Sequence, residues 1–305
     1  MNYYDANKDF TGSRNIHSES NNQEFVEFHN ASSTRIWYNT QNEDFSSHWH
    51  SAIEIIMPIE NAYDVIVEEE SFHVKPKELL LIPSGKLHAI IAPSTGSRFI
   101  YLFDLSPIEK LHGFSGIQSL MSEPLYMNNR TYPMVFEEIY HLLEQIKEEY
   151  FSNKEYSELC IYSLLLQLFS KLGYNHISAN NLFPNVRLFK QSEYVQKFNS
   201  LLEYIDMHYM EELDLEVIAS SIGFSKFHFS RLFKQYTGLT FRDYITFRRI
   251  KAAEALLTEP KLSITEIALQ SGFSSISTFN RIFKQEKNCT PSEYRAQNHR
   301  IDYNQ

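Results

Sequence analysis

The strongest constraint on the fold of this chain is an internal repeat in its last hundred or so residues. Ile218-Ala219 and Gly223-Phe224-Ser225 recur 49 residues later as Ile267-Ala268 and Gly272-Phe273-Ser274. Past one inserted residue the match continues at an offset of 50: Arg231, Phe233-Lys234-Gln235, Thr240 and Tyr244 recur as Arg281, Phe283-Lys284-Gln285, Thr290 and Tyr294. Each copy is one supersecondary unit. It reads as helix, tight turn, helix, because Asp214 and the box Ser263-Ile264-Thr265-Glu266 start the first helices and Gly223 and Gly272 end them. In the second helix of the first copy Phe229, Leu232 and Phe233 form the inward stripe, while Phe227, Ser230, Arg231 and Lys234 share the opposite one. The second copy repeats this with Phe279, Ile282 and Phe283 inside and Ser277, Asn280, Arg281 and Lys284 outside. Thr240 to Glu259 is expected as one long helix carrying Arg242, Arg248, Arg249 and Lys251, stopped by Pro260 and holding the two copies at a set separation.

The net charge of -10 argues against nucleic acid only until it is divided along the chain. The acidic excess belongs to the first two thirds, whereas the repeat region carries more Lys and Arg than Asp and Glu, an electrostatic footprint for phosphate. Arg binds guanine O6 and N7 bidentately, Asn pairs with adenine and Lys reaches phosphate. The candidate DNA-binding residues are therefore Lys226, Phe227, Ser230, Arg231 and Lys234, with Ser277, Asn280, Arg281 and Lys284. A helical bundle with a solvated charged face accounts for any one of these cations, but not for a duplicated arrangement of glycine, core and basic positions. Over about Phe198 to Arg300 the chain resembles the DNA-binding domain of the AraC/XylS family of bacterial transcription regulators. The resemblance is carried by Gly272-Phe273-Ser274, Phe279, Arg281, Phe283-Lys284 and Thr290-Pro291-Ser292-Glu293-Tyr294-Arg295. Asn288 stands where the family usually has Gly; Asn tolerates a left-handed backbone better than most residues, so the turn is expected to survive. The resemblance implies that both second helices enter successive major grooves on one face of the duplex.

From Glu24 to Leu105 the texture is β-rich. Arg35 to Thr40, Ala52 to Pro58, Asp64 to Glu68, Glu78 to Pro83 and Arg98 to Asp104 are short runs of branched or aromatic residues separated by turns, which suggests a barrel or sandwich. His48, His50 and Glu54 have the same parity, so on a single strand all three project to one face. His88 follows the Pro83-Ser84-Gly85 turn and can join them. The pattern resembles the two motifs of the cupin barrel, with departures at Glu60-Asn61 and Lys77-Glu78, where glycines are usual. Three readings compete: a divalent metal held by three His and one Glu, a metal-free pocket that hydrogen-bonds a polar ligand, and plainly packed histidines. The expectation is the second, with His48, His50, Glu54 and His88 binding an effector, no metal and no cofactor; the family resemblance points to a carbohydrate. Phe45, Tyr63 and Phe103 are candidate ring faces for a sugar.

After Pro133 two amphipathic helices are expected, from Phe136, Ile139, Tyr140, Leu143 and Ile146 and from Leu159, Tyr162, Leu165, Leu166, Phe169 and Leu172. They are expected to form a homodimer contact centred on Leu166 and Phe169. Gly173 to Asn185 mixes Gly, Asn, Ser and Pro without periodicity and reads as part of a linker. Cys160 and Cys289 are far apart in sequence and read as packing residues rather than a disulfide or thiolate metal site. No 18-residue apolar run occurs and the segment Met1 to Asn22 is polar, so neither membrane insertion nor secretion is expected and the chain is placed in the cytoplasm.

The expected fold class is α+β: an N-terminal cupin-like β-barrel with a helical extension, then an all-α domain with two helix-turn-helix units. The expected boundaries are a polar tail at 1–23, an effector-sensing barrel at 24–130, a helical dimerisation segment at 131–172, a linker at 173–197 and the DNA-binding domain at 198–300. The expected function is sequence-specific regulation of transcription on double-stranded DNA in response to a small molecule, without catalysis. The alternative is a metal-dependent cupin enzyme carrying a DNA-binding domain.

Overall fold

The structure, a computed structural model, describes residues 32–299 except 41–43, 110, 112, 153, 180–187, 259–260 and 288, together with residues 22, 24, 26 and 28. The expected turn at Asn288, the stop at Pro260, most of the polar tail and the middle of the expected linker lie outside the described residues. The chain divides into two compact units, Met1–Leu111 with Met121–His176, and His112–Leu120 with Ile177–Gln305.

The first unit holds two antiparallel sheets. One contains β1 (Thr34–Asn39), β8 (Ser97–Phe103), β3 (Ile53–Glu60), β6 (Leu79–Ile82) and β9 (Leu125–Met127) in that spatial order. The other contains β2 (Phe45–His48), β7 (His88–Ile91), β4 (Tyr63–Val67) and β5 (Glu70–Val74). Parity explains the strand compositions. Ala52 and Ile56, with Leu80, Ile82, Ile100 and Leu102, meet Val65, Val67, Val74 and Ile90 in one shared core. The alternate residues Ile55, Leu79, Leu81 and Tyr101 are equally buried, so β3, β6 and β8 are apolar on both faces instead of alternating. Helices α2 (Phe136–Ser152) and α3 (Ser157–Ala179) belong to this unit. Phe151 of α2 sits 6.4 Å from Phe99, and Tyr162 of α3 donates to the Asp104 carbonyl at 2.6 Å. At the start of α3, Glu158 accepts from Ser32 Oγ at 2.6 Å and from the Ser33 backbone N–H at 2.7 Å.

Two helical expectations change. Helix α3 runs through Gly173 to Ala179, and α4 (Leu188–His208) begins within the stretch read as a linker. A single interior Gly costs a helix only about 1 kcal/mol, and buried Leu172 and Asn175 hold the last turns on either side of it. Phe169 is only 2% exposed, packed within its own unit, so it cannot centre a contact with another chain; among the described residues of α3 the large exposed apolar ones are Leu159 and Tyr174. Cys160 is also exposed rather than packed, while Cys289 is buried and its thiol is pushed up to about 12 by burial.

The second unit contains α1 (Phe114–Leu120), α4, α5 (Leu215–Ser221), α6 (Lys226–Thr237), α7 (Phe241–Leu257), α8 (Ile264–Gln270), α9 (Ile276–Lys287) and α10 (Pro291–His299). The sequence repeat is a geometric repeat. Phe229 and Phe233 lie 5.3 Å apart and Phe279 and Phe283 5.5 Å; Phe233 meets Tyr244 edge-on at 5.6 Å as Phe283 meets Tyr294 at 5.4 Å. Phe198, Leu201, Leu202 and Ile205 of α4 complete the core around the first copy. Caps recur as well: Ser225 accepts from the His228 N–H and Ser275 from the Thr278 N–H, so each second helix starts one residue before its exposed stripe begins.

Candidate functional site

The exposed stripes come first. Both first helices end at a left-handed glycine, Gly223 with φ 83° and Gly272 with φ 82°, and both reversals are closed by the same bond, Phe224 N–H to Ala219 O and Phe273 N–H to Ala268 O. This turn sets the angle at which α6 and α9 project. On α6 Lys226, Phe227, Arg231 and Lys234 are exposed and Ser230 is half-buried; on α9 Ser277, Asn280, Arg281 and Lys284 are all exposed. Phe227, at 87% exposure, is a large apolar side chain left in solvent at the start of α6. Arg281 donates to Gln285 Oε1 at 3.0 Å, and Lys226 stands 4.0 Å from Glu216. Beside α6 a groove of about 700 Å³ is lined by Arg231, Lys234 and Arg242 with Ser230, Gln235 and Thr240, so three cations border one concavity.

Other cations of the repeat region serve the fold. Arg248 pairs with Asp206 at 2.7 Å and donates to Gln118 at 2.8 Å, and Arg249 donates to the Tyr209 and Glu211 carbonyls. Lys251 and Lys287 both contact Glu254; burial pushes the Glu254 carboxyl up, and the two ammonium groups hold it below its ordinary value. A count of basic residues therefore overstates what is available to phosphate.

The second site lies in the sheet unit. His48, His50, Glu54 and His88 are 0–2% exposed, and one ligand atom from each lies within 4.8 Å of the others. They do not share one strand, as parity suggested. His48 ends β2, His50 lies in the crossing between sheets, Glu54 is on β3 and His88 opens β7 opposite His48. The chain passes from one sheet to the other here, so residues from both meet in the interior. The Pro83-Ser84-Gly85 turn contributes twice: Gly85, at φ 82°, donates its N–H to His50 O at 2.8 Å and leads into His88. Glu24, which the sequence did not single out, reaches His48 Nε2 at 3.1 Å through a segment whose backbone pairs with Trp49. Of the aromatic residues, Tyr63 and Phe45 flank the guanidinium of buried Arg98 at 4.5 and 5.1 Å, while Phe103 stacks on Tyr101. Tyr101 and Phe103 alternate with Leu102 of the inter-sheet core, so Phe103 offers no ring face to the cluster.

Two helix-turn-helix copies on a common core, beside a sheet unit with a buried polar cluster, define a DNA-binding protein with a ligand-binding domain. Residues 218–297 match a helix-turn-helix domain model and residues 30–169 an AraC-like ligand binding domain model. A probable transcription factor, PqrA of Proteus vulgaris, is 39% identical over 99 residues, which span 32% of this chain and 81% of that protein. The chain belongs to the AraC family of transcription regulators. An uncharacterized HTH-type transcriptional regulator of Staphylococcus aureus strain MSSA476 is 30% identical over 165 residues, 54% of this chain but 21% of that relative, so this chain spans about a fifth of its length. A solved AraC-type regulator structure from Chromobacterium violaceum is 33% identical with a TM-score of 0.33, covering 35% of this chain and 96% of that one. Among the described residues no helix is long and apolar enough to cross a membrane.

Proposed function

We propose that this chain regulates transcription in the cytoplasm by reading a double-stranded operator with α6 and α9. The reading residues are Lys226, Phe227, Ser230, Arg231 and Lys234 on the first helix and Ser277, Asn280, Arg281 and Lys284 on the second. The observation that carries this is the duplication of an exposed basic and polar stripe on two identically capped helices. One chain then covers two major-groove segments about 10 base pairs apart. Footprinting of the full chain on its own promoter region tests this; protection of one segment alone overturns the two-helix reading.

The sensor's ligand site is the cluster of His48, His50, Glu54 and His88, and its ligand is small and polar, with carbohydrates the first class to assay. What supports this is four buried polar side chains from both sheets converging to within 4.8 Å of one another. The ligand is bound and returned unchanged, since the role is regulatory rather than catalytic. The regulator acts as a homodimer through the exposed face of α3, with Leu159, Leu166 and Tyr174 at the contact. Sedimentation that returns only monomer at micromolar concentration removes that contact.

A further inference from the structure

We propose that Arg249 and the segment 209–211 bridge the two helix-turn-helix copies, fix the orientation of α9 against α6, and so make the regulator selective for the spacing of its two operator segments. This rests on the reading of α6 and α9 as paired reading helices and names the residues that position them.

Helix α7 is the covalent bridge. Tyr244 and Ile245 near its start lie in the core around the first copy, and Glu254 nearer its end meets Lys287 at the end of α9. Between those points a single helix joins the copies, and long helices are rarely straight. A bend in α7 would swing α9 against α6 and change the spacing of the grooves they reach. A second bridge closes on the first. Tyr209 and Met210 follow α4 at the entry to the first copy, and they lie against the Gly272 turn of the second. A Cβ at Gly272 would stand 2.6 Å from Met210 Cα, 3.0 Å from Arg249 Nε and 3.1 Å from the Tyr209 carbonyl oxygen. Three segments of chain meet at a point with no room for a side chain. Among the described residues the equivalent Gly223 has no such neighbours, since a Cβ there meets nothing within 4 Å. Both glycines are left-handed, at φ 83° and 82°, so their backbones do not distinguish them; the contact between copies does.

Arg249 locks that meeting point. Its guanidinium donates from Nε to the Tyr209 carbonyl at 2.7 Å and from Nη2 to the Glu211 carbonyl at 3.0 Å. Two donors in one planar fork hold two carbonyls of one segment in a set geometry, which the point charge of a lysine cannot do. The segment is itself stiffened: Glu211 donates its N–H to the His208 carbonyl at 2.9 Å, its carboxylate accepts from His208 Nδ1 at 2.8 Å, and Tyr204 stacks on His208 at 4.3 Å. Arg248, next along α7, pairs with Asp206 of α4 at 2.7 Å. The first copy, α7 and the Gly272 turn form a closed triangle that α7 can bend only by breaking these contacts. One base pair more or fewer between the operator segments shifts them by about 3.4 Å along the duplex and about a tenth of a turn around it. A rigid pair of helices cannot follow that shift; a hinged pair can.

Two measurements on the full-length chain test this. With exposed Cys160 replaced as Cys160→Ser, nitroxide labels go on the equivalent exposed positions through Gln235→Cys and Gln285→Cys. The distance distribution between them is read without DNA, with labelled chain diluted in unlabelled. A narrow distribution is expected, broadened in Arg249→Met, which keeps an aliphatic stem and removes both donors. Affinity is then measured for the footprinted duplex from the chain's own promoter region and for duplexes one base pair shorter or longer between the protected segments. The natural spacing is expected to be favoured about a hundredfold, because linked modules lose their joint advantage where geometry forbids both from binding. In Arg249→Met and Gly272→Ala that ratio is expected to fall at least about threefold. A fold that is merely destabilised weakens binding to all three duplexes alike and leaves the ratio where it was. An unaltered label distribution or an unaltered spacing ratio in Arg249→Met overturns the proposal. Should Gly272→Ala fail to fold, Arg249→Met still decides by both readouts. A wild type that binds all three duplexes alike also overturns it; a footprint over one segment would then take the two-helix reading with it, and a footprint over two would leave that reading standing.

Discussion

Arg281 and Arg231 occupy equivalent positions on the two exposed stripes, and their surroundings differ. The Arg281 guanidinium is held by Gln285 one turn later on α9, so part of its rotamer freedom is already lost before DNA arrives. Arg231 borders the cationic groove beside Lys234 and Arg242. Arg231→Ala and Arg281→Ala are each expected to cost about 1–3 kcal/mol, roughly 5- to 150-fold in operator affinity, and to relax preference at one base position. Binding to a set of singly substituted operators checks this; a loss that is uniform across sequences would reassign the side chain to phosphate. Asn61 and Lys77 show a different residue-scale effect. They stand where the cupin resemblance expected glycine, and their backbones are left-handed all the same, at φ 60° and 63°. The turn geometry is kept although the residue that adopts it most easily is absent, and Asn61 is anchored by its side-chain bond to the Thr95 carbonyl at 2.7 Å.

At the scale of elements, the glycines of the two turns look equivalent in sequence but differ in packing. Both need a left-handed backbone, a cost of about 1–2 kcal/mol for another residue. A Cβ on Gly223 would meet open space, whereas one on Gly272 would stand 2.6 Å from Met210 Cα and 3.1 Å from the Tyr209 carbonyl. Gly223→Ala is therefore expected to cost only the backbone strain, and Gly272→Ala that strain plus displacement of the loop that Arg249 ties down. Urea unfolding followed by circular dichroism at a helical band measures both. The two tryptophans, Trp37 and Trp49, belong to the sheet unit, so their emission is expected to keep its wild-type midpoint in either variant. Equal losses for the two glycines would contradict the packing difference. Several elements were legible in the sequence and several were not. Strands β3, β6 and β8 announce themselves as apolar runs, and α6 and α9 through caps and periodicity; β2, β5 and β9 are three to five residues long and carry too few alternations to be seen.

At the scale of the whole molecule, the chain leaves the sheet unit after β8, contributes α1 to the helical unit and returns to the sheet unit for β9. Gln118 of α1 accepts from Arg248 of α7, whose guanidinium also pairs with Asp206 of α4. The chain enters and leaves α1 from the sheet unit, and a ligand shifts operator affinity only by the preference it has for one state of the protein over another. Gln118→Ala is expected to leave ligand affinity and ligand-free operator affinity near wild type. The ratio of operator affinities with and without ligand should fall by about 0.5–2 kcal/mol of coupling. An unchanged ratio would remove α1 from the coupling. The sequence by itself determined the paired helix-turn-helix units, their caps, their inward aromatic stripes and their outward polar ones, because each of these is a local pattern read within one or two turns of chain. It also picked the four residues of the buried cluster, His48, His50 and Glu54 by a parity argument along one strand that does not exist and His88 by its place after the Pro83-Ser84-Gly85 turn. Only the tertiary structure decided that His48, His50, Glu54 and His88 meet across two sheets, that Arg248, Arg249, Lys251 and Lys287 are tied up inside the helical unit, and that α1 belongs to that unit. Those outcomes depend on which distant segments pair and in what register, and no local periodicity carries that information.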